Sequence, residues 1–214
     1  AQVEDEIGHR TKAARVAGDF LARRDAWQPD EWAHDYSLGW DFTPELLAIR
    51  RDDGGMTSAE VRAALEPWRA AWESKLHGDY RHYLWIYGWA SVVGSASDAA
   101  EALEALPRYA PLPSFIPNVA ADMGFVGRTY ALAGRTDDAI ATLRAAVRSC
   151  QAGMEPVVWV RTHLWLGEAL ETKGDVAGAC AAYGYVVARW GHATPSSVTA
   201  ARARARMTAL RCGG

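Results

Sequence analysis

Histidines and carboxylates are the residues with the means to do chemistry in this chain, and they are densest from His34-Asp35 through Trp40-Asp41 to Glu45. Paired carboxylates beside Trp platforms suit glycoside chemistry, in which one carboxyl gives a proton and the other acts as base or nucleophile across a fixed separation. A small-molecule (sugar-like) sensor or a hydrolase built on this Trp-, Asp- and His-rich N-terminal half is therefore one function class to weigh. The six histidines, His9, His34, His77, His82, His163 and His192, show neither HExxH nor another ligand spacing, so no metal site is expected. His163 lies in an apolar helical run, where a hydrogen bond within the core explains it. Ser196-Ser197 stands at a helix start, and capping accounts for it better than nucleophilic chemistry. The glycines are dispersed and make no phosphate cradle, so no cofactor is expected.

Cys150, Cys180 and Cys212 lack CxxC spacing, and three thiols cannot pair fully within one chain. If the last two helices run antiparallel, position 180 lies opposite roughly 205, which leaves Cys212 on the order of 10 Å away. Free thiols are the expectation, with a disulfide reserved for an oxidising compartment and a tail that folds back.

The 214 residues are half hydrophobic and 23% charged, enough for one substantial core or two small ones. A formal net charge of -3 argues against a nucleic-acid partner. Arg202, Arg204, Arg206 and Arg211 cluster, but a helix spreads them over more than one face, as on a solvated surface. No run of 18 apolar residues occurs, so no membrane insertion by this segment is expected. The opening Ala-Gln-Val-Glu-Asp-Glu lacks Met, a basic start and an apolar stretch, which points to a mature chain or a piece of a longer one and not to a signal peptide. Eight of the ten Trp fall in loose pairs (Trp27 and Trp32, Trp68 and Trp72, Trp85 and Trp89, Trp159 and Trp165), a pattern of core more than of binding platform.

Helical punctuation places these residues. One amphipathic helix is expected over 2–25. Thr43-Pro44 opens a short helix that Asp52-Asp53-Gly54-Gly55 breaks, and Thr57-Ser58-Ala59-Glu60 is a capping box. Pro67 predicts a kink or restart in the helix that follows. A helix from about 80 to 93 and another capped by Ser97-Asp98 come next. Pro107, Pro111, Pro113 and Pro117 form a rigid connector, the best internal boundary. Beyond it helices are expected near 118–133, 136–149, 156–173, 175–190 and 195–211. Strand signals are nearly absent, and the fold class is all-α.

A shift of 40 positions superposes the second half on itself. Gly127 falls on Gly167, Gly134 on Gly174, Ala139 on Ala179, Ala141 on Ala181 and Val147 on Val187. A central Gly lets a partner helix approach, Gly134 and Gly174 suit left-handed helix ends, and a small Ala then a large residue complete the interlock. Small, large, turn Gly, Ala, large resembles the tetratricopeptide repeat over roughly 119–190; the usual period is about 34, so the inter-repeat connector must be about six residues longer than usual. A weaker copy at Gly88, Gly94 and Ala100 precedes it. The resemblance implies antiparallel helix pairs stacked as a short superhelix with a helical N-terminal extension: residues 1–80 N-terminal, 81–214 repeats with a capping helix from Thr194 to Leu210.

The run Leu166-Gly167-Glu168-Ala169-Leu170-Glu171, continued by Lys173-Gly174-Asp175 and Gly178-Ala179-Cys180-Ala181-Ala182-Tyr183, resembles the C-terminal region of bacterial eukaryotic-like serine/threonine protein kinases of the myxobacterial type. Asp19-Phe20-Leu21-Ala22-Arg23-Arg24-Asp25-Ala26-Trp27 and Leu106-Pro107-Arg108-Tyr109 add to it. The catalytic residues do not carry over, because no Gly-rich phosphate loop, His-Arg-Asp or Asp-Phe-Gly is present. The resemblances imply a non-catalytic module that binds or senses a protein or peptide, in the bacterial cytoplasm or on the far side of the membrane. In such arrays the first helix of each pair lines a concave groove. Its fixed offsets give Gly124, Arg128, Arg161, Leu164, Glu168 and Glu171, and the weaker copy adds His82, Trp85 and Trp89.

Overall fold

The computed structural model describes residues 1–27, 38, 41–76, 81–112, 122–149 and 155–213. Among the described residues all regular structure is helical. The chain forms two compact units, one of Ala1–Asp5 with His9–Pro113 and one of Glu6–Gly8 with Ser114–Gly214. The division falls inside the proline-rich connector and does not coincide with the 80/81 boundary drawn from the weaker repeat copy.

The first unit begins with α1 (Gln2–Glu6, whose last residue belongs to the second unit) and α2 (Arg10–Trp27). The single helix expected over 2–25 is thus two. Gly8 takes φ 79°, a left-handed conformation that ends the first segment. Ala13 and Ala17 of α2 meet Leu46 and Ile49 of α3 (Thr43–Asp52), and the small residues allow that close approach. The capping box forms as spaced: Thr57 Oγ1 accepts from Glu60 N (3.2 Å), and the Glu60 carboxylate accepts from Thr57 N (2.7 Å). It opens α4 (Ser58–Lys75), which runs through Pro67 without restarting. Pro67 and Ala63 are both exposed, so the carbonyl that loses its helical partner faces solvent.

Next come α5 (Arg81–Gly88), a 3-10 turn at Ala90–Val92 and α6 (Ala96–Ala105). The cap of α6 is Ser95, whose side chain accepts from Asp98 N (3.1 Å); Asp98 instead reaches back to accept from Gly94 N (3.0 Å). Val61, Leu65, Trp68 and Trp72 of α4, Leu84, Trp85 and Ile86 of α5, and Ala99 and Ala102 of α6 are buried.

The second unit holds α7 (Met123–Leu132), α8 (Thr136–Val147), α9 (Pro156–Lys173), α10 (Val176–Trp190) and α11 (Val198–Ala209). Short turns join α7 to α8 and α9 to α10, and in each hairpin the central Gly is where the helices meet. A Cβ on Gly127 would stand 2.5 Å from Leu143 Cγ; on Gly167 its nearest neighbour would be the Tyr183 ring. Both large residues lie sixteen positions after their Gly, so the 40-residue repeat is a repeat of packing. Helix α9 touches both α7 and α11, which sets these three side by side. The copy at Gly88 lacks this contact: its Cβ would meet Trp68 and Arg69 of α4.

Gly134 (φ 76°) and Gly174 (φ 84°) are left-handed, with nothing within 4 Å of an added Cβ. Ala at either position should therefore cost on the order of 1 kcal/mol through backbone strain alone. Thermal melts of Gly134→Ala and Gly174→Ala check this, and unshifted midpoints in both would contradict it.

The free-thiol expectation is corrected here. Cys180 of α10 and Cys212 form a disulfide, with Cα atoms 5.6 Å apart. Helix α11 ends at Ala209 and Arg211 adopts φ 56°, which reverses the tail and brings Cys212 back to α10. The cap of α11 is Ser197, later than the expected Thr194-Pro195 start. Cys150 lies outside the described residues.

Candidate functional site

Of the acid-rich N-terminal cluster, His34, Asp35 and Trp40 fall outside the described residues. Asp41 is described, and its carboxylate is fully engaged. One oxygen accepts from the indoles of Trp68 (2.7 Å) and Trp72 (2.9 Å), the other from Thr43 N (3.2 Å) and Thr43 Oγ1 (2.5 Å). The Thr43 hydroxyl in turn accepts from Arg24 (3.0 Å). A buried carboxylate with this many donors holds α2, α3 and α4 in register and has no lone pair directed at a substrate.

The groove positions from the weaker repeat copy lie in the first unit. Trp85 is fully buried and its indole donates to Ala102 O (2.7 Å), so it is a core residue and not a groove residue. Trp89 is half-buried under the Arg69 guanidinium, 3.4 Å from the ring centre; Arg69 also donates twice to Gly88 O (2.9 and 2.7 Å). Burial pulls Arg69 down to about 10, still a cation at neutral pH. The ring of His82 packs on Tyr83 at 4.2 Å.

The positions from the two clear repeats lie in the second unit, where two are buried and the four charged ones are half-buried. Gly124 is buried, and its absent Cβ leaves room for Thr162 Oγ1 of α9. Leu164 is buried. Arg128 is half-buried, its guanidinium 5.2 Å from the Trp165 ring. Glu168 pairs with Arg202 at 2.6 Å, and burial raises its carboxyl above the usual range against the pull of that arginine. Glu171 pairs with Arg206 and accepts from Tyr183 OH (2.9 Å). The hydroxyl of Tyr183, pushed up to about 12 by burial, stays protonated to donate. The C-terminal arginines expected on a solvated surface thus include two that bind the α9 acids and lay α11 across them.

Arg161 is engaged by a residue that no local pattern singled out. Its Nε and Nη2 reach a Glu6 carboxylate oxygen at 2.9 Å each. Glu6 is only 5% exposed. It also accepts from Ser197 Oγ (2.6 Å), Thr199 N (3.1 Å) and Thr199 Oγ1 (2.8 Å) at the start of α11. The helix N-terminus supplies an orphan N–H and a positive dipole end, which suit an anion. Capping at Ser196-Ser197 was visible in sequence; the acid bound there, one of three in Glu4-Asp5-Glu6, was not.

A second buried cluster lies between α9 and α10. His163 stacks on Tyr185 (3.9 Å between centres) and meets Trp159 edge-on at 4.7 Å. Trp159 Nε1 and His163 Nε2 are buried without hydrogen-bond partners, so the core hydrogen bond expected for His163 is not made at that nitrogen. Burial first, then the nearby Arg189 charge, pulls the His163 imidazole down to about 4. The depressed value means that unfolded chains take up the proton more readily than folded ones. The stability held above pH 6.5 is then lost as pH falls toward 4. Relaxation leaves on the order of 2 kcal/mol of the full linkage. Urea midpoints should drop accordingly between pH 7.5 and 4.5, and His163→Phe should remove that share; an equal drop in the variant would assign the acid sensitivity elsewhere.

Among the described residues no group of three or more His, Cys, Asp or Glu is placed to hold a metal, and no helix is long and apolar enough to cross a membrane. In the first unit Val3, Val16, Phe20 and Phe42 are exposed and line, with Leu46, an open groove of about 310 Å³. No protein-family model, no curated protein and no solved structure matches this chain.

Proposed function

We propose that this chain is a non-catalytic binding module that offers a helical surface to a protein or peptide, as the regulatory C-terminal part of a bacterial eukaryotic-like serine/threonine kinase. The observation that carries the binding role is the layer of α7, α9 and α11, with paired partner helices α8 and α10 interlocked at Gly127–Leu143 and Gly167–Tyr183. That pairing supports the tetratricopeptide-like reading, in which such a layer would make an extended recognition surface. The engaged state of Asp41, Glu168 and Glu171 favours binding over hydrolysis. The kinase assignment rests on the sequence resemblance alone, and the Cys180–Cys212 disulfide supports the far side of the membrane, where such bonds persist.

Random-peptide display selected on the intact, oxidised chain tests the binding role. The selected peptides should share a motif, and Arg128→Ala should weaken their binding at least about tenfold, a loss of roughly 1.4 kcal/mol. Selections that never converge would remove the binding role. An antibody against the chain should detect a species well above 23.3 kDa in source cells; a band at that mass would remove the kinase assignment and leave the binding role standing.

A further inference from the structure

The donors around Glu6 stand on two helices: Arg161 belongs to α9, and Ser197 has a second bond of its own, capping α11 through Ala200 N (2.9 Å). Ser197 and Thr199 are 5% and 4% exposed. Emptied of its acid, the cradle would keep a guanidinium, two hydroxyls and a backbone N–H in a place with little water to satisfy them. It therefore demands a carboxylate. The acid comes from a three-residue stretch, Glu6–Gly8, flanked on both sides by residues that pack in the first unit. Of that stretch Ile7 is half-buried, and Gly8 is exposed and stands where a Cβ would be 3.3 Å from Val198.

We infer that the Arg161–Ser197–Thr199 cradle is a receptor for a glutamate side chain of a peptide, and that Glu6 occupies it in cis as a displaceable competitor. The inference rests on the binding-module proposal and gives its partner a chemistry: an acidic peptide that presents a glutamate as Asp5-Glu6-Ile7-Gly8 does at the end of α1. A charge-assisted, multidentate pocket discriminates by geometry, so glutamine should bind poorly in glutamate's place.

The test uses the full chain and a fluorescent nonapeptide with the sequence of residues 1–9. By anisotropy the peptide should bind Glu6→Ala at least about tenfold more tightly than wild type, because the internal competitor is gone. The same peptide with Gln in place of its sixth residue should bind neither, and Glu6→Ala combined with Arg161→Ala should lose binding. Near-UV circular dichroism establishes that the variants are folded, and Glu6→Gln serves should Glu6→Ala fail to fold. Equal binding to wild type and variant, or none to a folded variant, overturns the inference. So does failure of both variants to fold, because Glu6 is then a core strut. Convergent display selections whose motif is insensitive to Arg161→Ala would leave the binding module intact and discard this pocket.

Discussion

Asp41→Ala should destabilise the first unit by about 4 kcal/mol. The substitution strands the buried indole N–H groups of Trp68 and Trp72 and frees the Thr43 hydroxyl that links Arg24 to the cluster. Each buried donor left without an acceptor costs about 1–3 kcal/mol, and the small hole left by the carboxylate adds to that. Asp41→Asn should cost less, because one amide oxygen still serves the indoles, though its NH2 then faces the Thr43 donors. Urea unfolding followed by Trp fluorescence reads the effect directly, since two of the reporters are the residues affected. A loss under 1 kcal/mol for Asp41→Ala would mean the indoles find water and the carboxylate is not structural.

Loss of the Cys180–Cys212 bond should cost the second unit about 3–4 kcal/mol. The bond closes a loop with a sequence separation of 32, and cross-linking a loop of that length removes that much conformational freedom from the unfolded chain. Cys180→Ser should lower the melting midpoint, and reductant should bring wild type down to the same value. Under denaturing, non-reducing conditions one thiol per chain should titrate, that of Cys150. Three titratable thiols, or a melt indifferent to reductant, would show that the bond does not form. The midpoint shift bears on α11 as well, because that helix reaches α9 through Arg202 and Arg206 and its tail is fastened to α10 by the disulfide.

Much of the second unit was legible in the sequence. The bounds of α9 came out as read, 156–173, because a proline at its start and a glycine beyond its end act within one turn of chain. The interlocking pairs were legible too, because a repeat in spacing reports a repeat in packing. Where the spacing was weak, at Gly88, the packing differed, and Trp85 and Trp89 went with it. Helix periodicity marks an apolar ring as inward but does not say whether it borders a groove or a core.

The surroundings of the polar positions expected in a groove were not legible for a different reason. Arg161, Glu168 and Glu171 lie on α9, and what each faces was decided by α11 and by Glu6, the latter 155 residues from Arg161. Asp41 likewise looked like an acid free for chemistry until Trp68 and Trp72 closed on it. Capping, turn glycines and helical periodicity are interactions over four residues or fewer, so the sequence alone determined most of the helices and the two hairpins of the second unit. Charge pairing, the disulfide and the burial of an acid depend on where separate helices come to rest, and a charged side chain carries no mark of its distant partner. The tertiary structure therefore decided which acids and arginines are spent within the fold.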